Sequence, residues 1–282
     1  MKLQAACLFV LNLALAVGAS PALAQAPSPP VGEVKGTATQ HTEASLAAAI
    51  RQAAVVLPAA ATGGAVFAGK FADAPAGKAR VPVVVFLHGS SGLGLKAIGE
   101  WQQWLATLGV ASIAPDSFAL PDRITYTSPV GKDVYERIHV LRHAEIVAAV
   151  AALKTVSWAD PARLVLAGTS EGSVAVARYT GTEFAGRILY AWSCENNYFV
   201  TEPKNAMEPD KPMLNVISSV DPFFSPTNAW LGNPAAKGHC ADALKDGKRA
   251  TIVLIPGAPH TLINFPAARG AAATLLGEVA RP

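Results

Sequence analysis

Six short apolar runs, residues 81–87, 111–115, 163–167, 188–192, 213–218 and 251–255, punctuate the chain, each of strand length. Between them lie stretches with apolar residues at helical spacing, near residues 95–108, 135–153, 171–179 and 267–279, preceded by an alanine-rich one at 43–56. Strands that are apolar on both sides need burial on both faces. The recurring order of strand then helix therefore predicts an α/β fold, a mostly parallel central sheet with helices on both faces. In such sheets a ligand crevice lies beyond the carboxyl ends of the strands, and polar residues just after each run become the candidates for chemistry.

Composition narrows the picture further. With 282 residues, 51% hydrophobic and 15% charged, the chain cannot be disordered, collagen-like or a coiled coil. A net charge of +3, from 23 basic and 20 acidic residues with no basic run, offers no footprint for nucleic acid. A small-molecule partner is expected instead. Lys2, the apolar residues 5–17 and Ala22-Leu23-Ala24 read as a signal peptide over residues 1–24, cleaved near Ala24, too short in its apolar core to span a bilayer. The Pro, Ala and Ser content that follows reads as a flexible leader over residues 25–42, leaving a single domain at 43–282. The mature protein is expected to be exported, periplasmic or secreted, without stable membrane insertion. Export would remove Cys7 and leave Cys194 and Cys240 in an oxidising compartment, where a disulfide is the leading reading and two buried thiols the alternative.

The strongest local signal follows the third run. Gly168-Thr169-Ser170-Glu171-Gly172 stands between a strand-like segment and a helix-forming one, the setting a G-x-S-x-G nucleophile elbow requires. The glycines permit a tight turn that lifts the Ser170 hydroxyl above the sheet. A serine hydroxyl is a poor nucleophile near neutral pH and needs a base and an orienting acid. His260, in the loop after the last run, and Asp221, after the fifth, supply them in the order Ser, acid, His. Glu195 is the alternative acid, one strand earlier. For the developing oxyanion, the amides of Ser90, in His88-Gly89-Ser90-Ser91-Gly92, and Glu171 are the expected donors, with Ser91 as the alternative. His88 reads as a structural part of that turn. His139 and His143 are four apart on a predicted helix with Glu145 nearby, but no third ligand is in register, so they read as a solvated or cap-contacting face and no metal is expected. In the loop 116–132, Phe118, Arg123, Tyr126 and Lys132 are candidates to line the cleft, Arg123 either binding a substrate carboxylate or lying solvated at the surface.

Taken together, the glycine turn after residues 81–87, Ala114-Pro115-Asp116-Ser117-Phe118, the elbow, Asp221 and His260 resemble the dienelactone hydrolase family of α/β-hydrolases, over roughly residues 81–279. The resemblance implies an α/β-hydrolase fold, a nucleophile–Asp–His hydrolase acting on carboxylic esters or lactones through an acyl-enzyme, and no cofactor. Two positions depart from the family pattern: Ser170 stands where that family has cysteine, and Ser173 replaces the final glycine of the elbow. A peptidase or acyltransferase with the same triad, and a non-catalytic binding protein on the same fold, are the other readings.

Overall fold

Five of the apolar runs pair side by side almost fully buried on both faces, and the sixth, residues 251–255, closes the edge of the sheet and is only partly buried. A computed structural model describes residues 31–280; the predicted signal segment 1–24 and the first residues of the leader lie outside them. Eight strands form one sheet, β2 (Ala54–Leu57), β3 (Phe67–Lys70), β4 (Val81–Leu87), β5 (Ala111–Ala114), β7 (Ala159–Thr169), β8 (Gly186–Tyr190), β9 (Met213–Ser218) and β10 (Ala250–Ile255), ordered β10-β9-β8-β7-β4-β5-β2-β3. The six strands from β10 to β5 are parallel, while β2 runs antiparallel to both β5 and β3.

Alternation along each strand divides the core in two. Val83, Val85, Leu87 and Leu166 face α1 (Glu43–Arg51), α4 (Lys132–Leu153) and α5 (Glu171–Arg178). Val84, Phe86, Val165 and Ile188 face α3 (Lys96–Thr107) and α6 (Pro266–Ala280) on the other side. Trp101 of α3 is fully buried, its ring 4.8 Å from Phe86, so it packs the helix onto the sheet as its spacing suggests. A short α2 (Ala59–Thr62) links β2 to β3. Among the described residues no helix is long and apolar enough to cross a membrane.

Two sequence expectations change. The alanine-rich stretch 43–56 is a helix only as far as Arg51: a capping box of Thr42 and Ser45 starts it, and Val55, Val56 and Leu57 then leave it to pair as β2. β-Branched residues on an almost fully buried strand gain more from pairing than from extending a helix. The described part of the leader, residues 31–42, is docked and not loose. Its β1 (Val34–Lys35) pairs antiparallel with β6 (Thr125–Tyr126), Ile124 N–H donates to Ala38 O at 2.9 Å, and Thr127 N–H donates to Glu33 O at 2.8 Å. Backbone pairing of this kind does not depend on side-chain composition, which is why the composition of the leader does not reveal it.

Candidate active site

The elbow emerges from the sheet where β7 passes directly into α5. Ser170, the single residue between them, has φ 54° and ψ −119°, a strained conformation for any residue with a side chain. Surrounding contacts hold it there: Ser170 N–H donates to Tyr190 O at 2.9 Å. The flanking glycines are sterically required. A Cβ at Gly172 would lie 2.2 Å from Leu87 O, and one at Gly168 2.7 Å from the Gly172 carbonyl carbon. Ser173, where the resembling family has glycine, donates its buried hydroxyl to Gly168 O at 2.6 Å and sits 2.8 Å from Tyr190 O, bracing the turn from behind.

The other two candidate residues arrive from the ends of β9 and β10. Asp221 is fully buried in the turn after β9; Oδ1 accepts the amides of Phe223 (2.9 Å) and Phe224 (3.0 Å), and Oδ2 lies 2.7 Å from His260 Nδ1. With both amides locking one oxygen, the other is aimed at the imidazole, so Nδ1–H is the donor and Nε2 is left free to take a proton. His260 keeps 20% of its side chain exposed and packs edge-on against Phe223, ring centres 4.7 Å apart. Ser170 and His260 line one cavity of about 130 Å³ together with Ser90 and Ser91. Among the described residues Ser170 Oγ makes no side-chain hydrogen bond; such contacts are often long before a substrate is bound.

Glu195, the alternative acid, is committed elsewhere: its two oxygens accept the amides of Lys237 (2.7 Å) and Gly238 (2.9 Å). The residue beside it, Cys194, forms a disulfide with Cys240, so both tie the 191–200 segment to the loop before β10. Of the expected oxyanion donors, Glu171 opens α5, where a first-turn amide has no partner within the helix, and the partial positive charge of the helix terminus adds to it. Ser90 and Ser91 follow β4 in an exposed turn. His88 beneath them is fully buried: Nδ1 lies 2.7 Å from Gly89 O, and Nε2 accepts from Ser117 N–H and faces Arg142, both at 3.2 Å. Burial, and then the Arg142 charge, hold its pKa well below the ordinary histidine value, so it is a neutral brace for the turn.

Three sequence expectations outside the elbow are corrected. Arg123 is neither solvated nor free for a substrate: it is buried, with Nε to Ser117 Oγ (2.7 Å), Nη1 to Ile124 O (2.9 Å) and Nη2 to Glu171 Oε1 (2.7 Å). His139 is buried, not on a solvated face, with Nε2 3.1 Å from Phe199 O, while the His143 ring lies tilted against Tyr179, ring centres 5.4 Å apart. Of the four loop residues proposed for the cleft only Tyr126 lines the cavity; Phe118 lies over Arg123 and Lys132 begins α4. The rest of the wall, Tyr198, Phe199, Phe223 and Phe224, went unread in the sequence. Its signal was present as aromatic doublets, one of them two residues after the acid.

No family model matches the sequence, and none of the curated proteins matches it either. Solved structures do. A cold-adapted esterase from an Arctic intertidal metagenomic library shares 13% identity over 77% of this chain and 88% of that one, with a TM-score of 0.51. Esterase PE8 shares 16% identity over 79% of this chain and 97% of that one, TM-score 0.50. Est1E from Butyrivibrio proteoclasticus shares 18% identity over 72% and 90%, TM-score 0.45. Together with the sheet order and the helices on both faces, the likeness shows that the chain has the α/β-hydrolase fold.

Proposed function

We propose that the protein is an exported serine hydrolase that cleaves carboxylic esters or lactones, in the manner of the dienelactone hydrolase family but with a serine nucleophile. The observation that carries this reading is the pairing of Asp221 with His260 at 2.7 Å in a cavity that His260 shares with the strained Ser170. His260 Nε2 takes the Ser170 proton as Oγ bonds to the carbonyl carbon, and the carbonyl electron pair moves onto oxygen, facing the amides of Glu171 and of Ser90 or Ser91. Asp221 stabilises the imidazolium. Collapse re-forms the carbonyl and breaks the bond to the alcohol oxygen, which leaves with the imidazolium proton. Water, deprotonated by the same nitrogen, then releases the acid and frees Ser170. Each oxyanion donor contributes about 3 kcal/mol to such a step.

The Cys194–Cys240 disulfide supports an oxidising compartment, in keeping with the N-terminal sequence. An organophosphonate probe tests the mechanism. One adduct per chain is expected, together with hydrolysis of 4-nitrophenyl acetate, and Ser170→Ala should abolish both. A full-length adduct on the Ser170→Ala protein, or no adduct on the unaltered one, would refute the assignment.

A further inference from the structure

Resting on the serine hydrolase reading, we infer that the Ser170 cavity selects uncharged esters with one compact substituent, a single ring or a short chain, and rejects both carboxylate-bearing and cationic ones. The size limit comes from the volume. The cavity measures about 130 Å³, and an apolar cavity of about 150 Å³ holds a benzene molecule. The cavity opens to solvent beside the exposed Ser90 and Ser91, so a long acyl chain is not housed in it and leaves its apolar length in water.

The charge limit comes from the lining. Leu95, Tyr126, Tyr198, Phe199, Phe223 and Phe224 form the apolar wall, and the polar remainder is hydroxyl, backbone and the His260 imidazole; no Asp, Glu, Lys or Arg side chain lines the cavity. Arg123, three residues before the wall residue Tyr126, is engaged elsewhere. It leaves only 2% of its side chain exposed and closes on Glu171, whose carboxylate also lies 3.6 Å from Arg142 Nε. Arg142 in turn pairs with Glu145 at 2.9 Å, so two arginines and two carboxylates neutralise one another behind the elbow. A substrate carboxylate entering the cavity would lose its hydration with no cation to replace it, and would lie near the buried Asp221. A cationic substituent meets the opposite difficulty. Aromatic faces attract cations, but Phe223 and Phe224 pack against His260, with ring centres 4.7 and 5.9 Å away, and that imidazole must become positive during the reaction. A neutral ester meets neither penalty, and Ser90, Ser91, Ser128 and Thr261 offer its oxygens hydroxyl partners.

Matched esters test this on the unaltered protein, with phosphonate labelling read on the same sample. Methyl benzoate is compared with the monomethyl ester of terephthalic acid, acetylthiolcholine with an uncharged thioester of similar size, and 4-nitrophenyl butyrate with 4-nitrophenyl palmitate. A kcat/KM advantage of about 100-fold or more is expected for the neutral member of the two charged pairs, whose partners would bury an unpaired charge, and a clear preference for butyrate over palmitate on size alone. An anionic or cationic member within threefold of its neutral partner, or palmitate cleaved as fast as butyrate, overturns the inference. If labelling at Ser170 is intact in that case, the hydrolase reading stands and only the selectivity fails. If neither labelling nor hydrolysis occurs, both fall.

Discussion

Asp221 with His260 and Glu171 with Arg123 are both pairs built on a fully buried carboxylate, and each contact measures 2.7 Å. They differ in the partner. His260 keeps a fifth of its side chain exposed, and an imidazole carries one nitrogen that can donate and one that can accept a proton. Arg123 is sealed, and guanidinium stays protonated. The first pair can therefore accept a proton, in the proposed reaction the one from Ser170, while the second can only hold the loop 122–126 against the elbow. A buried carboxylate near a nucleophile is thus no sign of catalysis by itself; the access and exchangeability of its partner decide.

Substitutions can break that comparison, and the proposed catalytic pair, Asp221 with His260, should give the largest effect. Asp221→Asn preserves shape but disturbs the tautomer of His260, and kcat should fall on the order of 10⁴-fold. Steady-state kinetics beside a thermal melt checks this: a lost fold with normal specific activity of the remaining native protein would move Asp221 into the structural class. For the sealed pair the expected loss is in stability. Arg123→Met leaves the buried Glu171 charge only the longer Arg142 contact at 3.6 Å and should cost up to about 3–5 kcal/mol in urea titration, with much of it recovered in Arg123→Met/Glu171→Gln. No recovery in the double variant would mean that the other contacts of Arg123 carry its contribution.

Next in size stands the Cys194–Cys240 bridge, which closes the 194–240 loop containing Asp221. Reduction should lower stability by up to about 4 kcal/mol, seen as faster thermal inactivation in dithiothreitol. Unchanged inactivation would show that the Asp221 turn is held by its own hydrogen bonds. The smallest effect is on pH. Burial lowers His139 to about 4, with Phe199 O the leading opposing contact, and holds His88 well below its ordinary value. For both, the unfolded chain binds the proton first as pH drops. Their stability is complete above about pH 6.5 and declines toward about pH 4 for His139, at no more than about 1.4 kcal/mol per pH unit for each group. His139→Gln should flatten that decline in pH-dependent urea melts.

Local signals carried much of this molecule. Continuous apolar runs led to six of the strands, and Gly168, Ser170 and Gly172 led to the elbow, because each pattern acts within a few residues. β2 and β3 were illegible: four-residue strands at the antiparallel edge take their identity from β5, and Val55 and Val56 fit a helix tail as well. Arg123 was misread because its partner lies 48 positions away. Nothing in a linear pattern separates a solvated arginine from one folded onto a carboxylate.

The chain by itself determined the layered α/β arrangement and which residue types could act as nucleophile, acid and base, since periodicity and turn chemistry are short-range properties. Only the tertiary structure decided that Asp221 and not Glu195 faces His260, that aromatic doublets wall the cavity, and that residues 31–42 brace it. Those outcomes depend on which distant segments meet, and that is set by burial of the whole chain at once.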